Sequence, residues 1–370
     1  MLAEVAGTSS PWFQEPVDPP SLGELAAAAL SGPSVVPAEP DRQTRREWTA
    51  KTNAFVENFV AGLEKAPASD LEPQGLAEFL APPPHGPGEL DTLLARFGDA
   101  AGQAIGTAGP RCFAYFPAGG LYSSVLAETL AHTVNRFTGL SGTAPALVAV
   151  EHSVIRWLCG GFGLPDSAGG LVTFGASIAT LTALHAARED RLGGPDPRGT
   201  IYVTEHTHHC VAKAARITGF TADQVRVVPV DANLRMDVDA AEQLIARDRA
   251  RGLRRFFLVG TAGSTSTGTV DPLDAVGEVA EREDLWFHVD GAYGGAFQFT
   301  ERGRRVLHGV HRADSITLDP HKSCSCLAAP ACCSCAASTG CGRRTSRTPT
   351  TCRTSATTTA CPTTPTSDRS

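Results

Sequence analysis

Five short apolar runs punctuate the middle of the chain: Ile201-Tyr202-Val203, Val225-Arg226-Val227-Val228-Pro229-Val230, Phe256-Phe257-Leu258-Val259, Leu285-Trp286-Phe287-His288-Val289 and Ser315-Ile316-Thr317-Leu318. Runs of this length, rich in β-branched and aromatic residues, predict buried strands. Helical patterns lie between several of them, including 238–250 and 272–282, and an apolar helix is expected over 177–188, just after Leu171-Val172. Near-continuous apolar strands alternating with helices predict an α/β fold whose mainly parallel sheet is covered on both faces. Ligands in such folds sit beyond the carboxyl ends of the strands. The polar residues that follow each run are therefore the candidates for chemistry.

The flanks read differently. Residues 1–110 are rich in Pro and Ala, with helices expected over 41–65 and 89–105. In the second, Leu90, Leu93, Leu94 and Phe97 recur at helical spacing. This segment is expected to be a helical arm that packs on something else, leaving 111–322 as the large domain. Beyond it, 323–370 holds eight of the eleven cysteines, twelve Thr and a single Leu, and no Val, Ile, Phe, Tyr or Trp. With five Arg and one Asp it carries +4, against −7 for the whole chain.

Composition narrows the class. At 370 residues, 42% apolar and 19% charged, the chain is an ordinary globular sequence with room for two domains. No run approaches the ~20 apolar residues of a membrane helix. The start, Met1-Leu2-Ala3-Glu4-Val5, shows no basic and apolar leader. A cytoplasmic protein with no membrane or nucleic-acid partner is expected, since the negative charge disfavours nucleic acid.

Five strand-end motifs stand out. Phe174-Gly175-Ala176-Ser177 opens a helix, where free N–H groups and the helix dipole favour an anion. Glu205-His206-Thr207-His208-His209-Cys210 follows the first run. It lacks the spacing of convergent metal ligands, so no metal is expected. Gly263-Ser264-Thr265-Ser266-Thr267-Gly268 is a hydroxyl-rich loop. Asp290 precedes Gly291-Ala292-Tyr293-Gly294-Gly295, and a buried carboxylate there needs a cationic partner. Asp319-Pro320-His321-Lys322 ends the fifth run, and a desolvated Lys is a nucleophilic amine able to form a Schiff base. Each alone also fits a plain role: a helix cap, a polar loop, a turn-capping Asp, a surface Lys.

Their order resembles that of the fold-type I pyridoxal-phosphate enzymes. Phe113-Ala114-Tyr115-Phe116-Pro117, Asn135-Arg136-Phe137-Thr138-Gly139, Thr207-His208-His209, His288-Val289-Asp290-Gly291-Ala292-Tyr293-Gly294 and Asp319-Pro320-His321-Lys322 are similar to the group II amino-acid decarboxylases. That family includes aromatic-amino-acid, histidine, glutamate and diaminobutyrate decarboxylases. The resemblance covers roughly 85–322. It implies a transferase-like large domain with a mainly parallel sheet of the seven-stranded type, a helical arm, and a small C-terminal domain that this chain lacks. It implies pyridoxal 5′-phosphate as cofactor, a small amino-acid substrate and a homodimer.

By the resemblance, Lys322 holds the cofactor as a Schiff base and Asp290 pairs with its ring nitrogen. His208 stacks on the ring and helps protonate the carbon that loses CO2. Ala176 and Ser177 bind the phosphate with His321 nearby, Thr265 touches the ring side, and Tyr115, Phe116 and Pro117 lie near the substrate. The implied reaction is decarboxylation of an L-amino acid to its amine. The alternatives are another lyase or aldehyde-forming enzyme on the same fold, or an inactive chain that at most binds cofactor. The segment after Lys322 departs from the family, where an apolar strand, a mobile loop bearing a Tyr and a small domain follow. Regrouping GC-rich codons across their boundaries from Ser323 onward yields an apolar stretch with a Gly-Thr-Gly turn. The expectation is a frameshift at or just after Lys322, a tail without fixed structure, and a sheet lacking its next strand. Sequencing the locus tests the frameshift.

Overall fold

The computed structural model describes residues 39–67, 75, 79–80, 88–112 and 120–323, together with the backbone of Cys332–Ala336. Contacts divide the chain into two compact units. One comprises Met1–Gly62 and Pro73–Gln103, the other Leu63–Glu72 and Ala104–Ser370. In the smaller unit, α1 (Arg42–Gly62) and α2 (Leu90–Gly102) are joined by a 2.6 Å ion pair between Lys51 and Asp91 and by the Phe55 and Phe97 rings, 5.7 Å apart. Asp41 caps α1 by accepting the Thr44 N–H at 2.7 Å. Neither helix has a buried residue.

The larger unit runs α3 (Tyr122–Val134), α4 (Pro145–Gly161), β1 (Gly169–Thr173), α5 (Ala176–Leu192), β2 (Gly199–Thr204), α6 (Cys210–Ile217), β3 (Val225–Val228) and α7 (Val238–Ala250). It continues with β4 (Arg254–Thr261), α8 (Leu273–Arg282), β5 (Trp286–Gly291), α9 (Glu301–Val306), β6 (Ser315–Leu318), α10 (Pro320–Ser323) and β7 (Cys332–Ala336). The five apolar runs are β2 to β6. The strands form one sheet in the order β1-β7-β6-β5-β4-β2-β3, and β3, β2, β4, β5 and β6 are mutually parallel. This is the expected α/β architecture.

Period-two alternation assigns the faces. On β4 and β5, Leu258, Phe287 and Val289 join a core with Ile155 and Phe162 of the α4 region, Ile245 of α7 and Val276 of α8. Phe257, Val259 and Trp286 join a second core with Leu184 of α5 and Val211 of α6. His288 and Asp290 follow Trp286 at steps of two, so they share the α5 and α6 side of β5.

The expected absence of a strand after Lys322 is corrected at Cys332–Ala336. These residues form β7, antiparallel to β1 from Gly169↔Ala336 to Thr173↔Cys332 and to β6 from Ser315↔Ala336 to Leu318↔Cys333. The sheet therefore has a strand beyond Lys322. The physical reason is that β1 and β6 flank a slot one strand wide, each offering a row of unpaired N–H and C=O groups. A ladder is made by main chain, so a backbone can satisfy both rows with little regard to its side chains.

Candidate active site

Register places the carboxyl ends of three strands side by side, with Thr261 of β4 opposite Asp290 of β5 and Asp290 opposite Thr317 of β6. A cavity of about 270 Å³ opens there. Its wall joins Gly175, Ala176 and Ser177 at the start of α5, His208 and Cys210 before and in α6, and Thr265 from the loop after β4. Asp290 and Tyr293 contribute from β5 and the turn that follows it, and Asp319, His321 and Lys322 from the end of β6 and α10. The fold thus brings Ala176, Ser177, His208, Thr265, Asp290, His321 and Lys322 together. Tyr115, Phe116 and Pro117 lie outside the described residues.

The start of α5 depends on Gly175, whose φ of 103° and ψ of 161° suit a residue without Cβ. Its carbonyl accepts the Ile178 and Ala179 N–H groups. The turn after β5 needs Gly294 for space: a Cβ there would stand 2.4 Å from the Ala262 carbonyl oxygen, to which Gly294 donates its own N–H at 3.0 Å. This close approach sets the Thr265 loop against the Asp290 turn.

Asp290 is 6% exposed, and its Oδ1 accepts the Ala292 N–H at 3.1 Å. The Lys322 Nζ stands 3.9 Å from Asp319 Oδ2, and His321 Nδ1 stands 3.1 Å from Asp319 Oδ1. Burial pushes the Asp319 carboxyl above the usual carboxylate range, with His321 and Lys322 pulling it back. His208 accepts the Cys210 N–H on Nδ1 at 3.2 Å, which leaves its proton on Nε2 when the ring is neutral. Burial lowers its pKa first, and His209 and Lys322 add to this against the pull of Asp290. Its ring lies 4.1 Å from that of His209. The Cys210 thiol is pushed up to about 11 by burial, which makes it an inert wall residue.

Sequence reasoning missed the supports beneath this wall. Asp271 accepts the Thr261 N–H at 2.8 Å and the Met236 N–H at 2.7 Å, tying the end of β4 to its loop. His288 is fully buried with its pKa lowered to about 4 by desolvation, and its Nδ1 lies 2.8 Å from Ser315 Oγ. Trp286 Nε1 donates to the same oxygen at 2.8 Å, which locks β5 to β6 directly below Asp290. The period-two pattern through 286, 288 and 290 was the available signal.

The family model of the pyridoxal-dependent decarboxylase conserved domain matches residues 84–337, which includes every strand of the sheet. The chain belongs to this family. Among curated relatives, this decarboxylase-family chain is 37% identical over 213 residues to an aromatic-L-amino-acid decarboxylase of Bacillus atrophaeus, covering 58% of the chain and 44% of the relative. It is 33% identical over 300 residues to tryptophan decarboxylase 2 of Oryza sativa subsp. japonica, covering 76% of the chain and 60% of the relative. Among solved structures, Oryza sativa TDC with PLP and tryptamine superposes with a TM-score of 0.76 at 27% identity, covering 82% of this chain and 65% of that one. The chain therefore spans about half of the curated relatives' length.

Proposed function

We propose that this chain carries the cofactor-binding half of a pyridoxal 5′-phosphate-dependent L-amino-acid decarboxylase. The observation that carries the reading is the convergence of Lys322, Asp290 and the N-terminus of α5 on one cavity, from three separate parts of the chain. These groups fit the cofactor's chemistry: an amine for its aldehyde, a carboxylate for its ring nitrogen and a helix N-terminus for its phosphate. When bound, the cofactor supplies a protonated ring that accepts the electron pair left as the substrate loses CO2.

The chain's own groups then have distinct work. Lys322 would hold the cofactor's aldehyde carbon. Asp290 keeps the proton on the ring nitrogen. Ala176 and Ser177 would hold the phosphate with His321, and Thr265 would contact the ring side. His208 would cover the ring face and supply a proton to the substrate carbon. Tyr115, Phe116 and Pro117 are assigned to the substrate side. The test is incubation of cofactor-loaded protein with a panel of L-amino acids while CO2 and amine are measured. Amine with equimolar CO2 is the expected result. Aldehyde with ammonia would assign the aldehyde-forming alternative, and bound cofactor without turnover the binding-only one. A cytoplasmic location belongs to the same proposal and is checked by cell fractionation.

A homodimer is also proposed, supported by an unsatisfied apolar stripe. No residue of α3 is buried, and Tyr122, Leu126, Leu130 and Val134 recur every four positions with exposures from 44% to 67%. On α4, Val150, Val154 and Trp157 are exposed as well. A second copy of the chain is the proposed cover, since a stable interface of roughly 800 Å² per partner needs such an apolar centre. Leu130→Glu is expected to shift the chain from dimer to monomer in sedimentation velocity. A dimer of unchanged strength would place the interface elsewhere.

A further inference from the structure

Asp319 ends β6 and is 2% exposed, yet it lines the cavity. Ala176, the first residue of α5, lines the same cavity, and its N–H favours the ionised form of this carboxyl, so the carboxyl faces the helix terminus assigned to the phosphate. Its Oδ1 is buried and makes no hydrogen bond, although His321 Nδ1 stands 3.1 Å away. The charged groups facing it are His321 and Lys322 from α10 and Asp290 from β5. Resting on the cofactor reading above, we propose that a phosphate seated at the N-terminus of α5 and a negative charge on Asp319 exclude each other, so that the cofactor is taken up together with a proton on this carboxyl.

The chemistry balances with one proton from solvent. An O–H bond forms on Asp319 and no bond breaks. Before binding, the positive end of the α5 dipole faces the Asp319 carboxyl. A phosphate monoester adds close to two negative charges at neutral pH. Protonation removes the conflict and turns Asp319 from an acceptor into a donor, whose O–H suits a phosphate oxygen. Burial has already moved this carboxyl in the required direction.

The test uses the full chain and 4-deoxypyridoxine 5′-phosphate, the cofactor with a methyl group in place of its aldehyde, so that Lys322 cannot condense with it. Titration calorimetry in two buffers of different ionisation enthalpy counts protons. The working range is pH ~7–8, where the phosphate's second proton (pKa ~6) is already lost. The wild-type chain is expected to take up about one proton more than Asp319→Asn, which keeps the size and one acceptor oxygen. Its Kd is expected to rise up to ~10-fold per pH unit where the variant's rises less. Equal proton counts overturn the inference. So does an equal count with unphosphorylated 4-deoxypyridoxine, because the proton then belongs to the ring nitrogen. Difference infrared spectra of the wild type need no variant: a new protonated-carboxyl band on binding supports the proposal, and its absence overturns it. If neither chain binds the phosphorylated probe, the cofactor reading itself falls and this inference falls with it.

Discussion

Borohydride treatment of the cofactor-loaded protein is expected to fix the pyridoxyl group on the peptide that contains Lys322. The chain has four lysines, which makes the outcome sharp. Lys51 pairs with Asp91 in the smaller unit, and Lys65 and Lys213 are exposed. Lys322 alone among the four lines the cavity, with its side chain 19% exposed and its main chain held by a 3.1 Å bond to the Asp319 carbonyl. A partly desolvated amine on a short, anchored helix meets the requirement for a carbonyl-binding lysine. Lys322→Ala is expected to abolish turnover and borohydride labelling together, while the phosphate-bearing cofactor still associates reversibly through α5. Label on another lysine, or full turnover by the variant, would reject the assignment.

Asp290→Asn is expected to act through charge rather than shape. The substitution keeps the side-chain volume and the acceptor for the Ala292 N–H, so the turn after β5 survives. It removes the anion that holds a proton on the ring nitrogen, and with it much of the ring's electron demand. A fall in kcat of order 10²-fold or more is expected, roughly 3 kcal/mol of barrier. Cofactor affinity should change far less, because Lys322 and the α5 terminus are untouched. The split between kcat and cofactor Kd separates this from misfolding. Activity within about threefold of wild type would mean that another group partners the ring nitrogen.

Much of the architecture was legible because its signals are local. Each apolar run became a parallel strand, since β-branched and aromatic residues suit a pleated sheet, and all but the edge strand β3 are largely buried. The helix over 238–250 begins where Asp237 accepts the Ala240 N–H, a capping signal written in adjacent residues. The strand-end motifs were legible for the same reason: a polar group directly after an apolar run sits at the carboxyl edge of the sheet. The apolar stripe on α3 was equally present in the sequence. It went unread as a surface because periodicity alone does not say whether a stripe meets a core or solvent.

The sequence by itself determined which residues form strands, which face Asp290 shares with Trp286 and His288, and which polar groups stand at the strand ends. Those follow from spacing along one segment. The tertiary structure alone decided that β7 fills the slot between β1 and β6, because pairing there is a property of two distant backbones rather than of the strand's own side chains. It alone brought Asp319 and Ala176, at the start of α5, to one cavity wall. In the sequence, Asp319 and Asp290 are both acids following an apolar run. What separates them is a backbone donor far away along the chain, delivered by the crossover of α5, and no local pattern records that meeting.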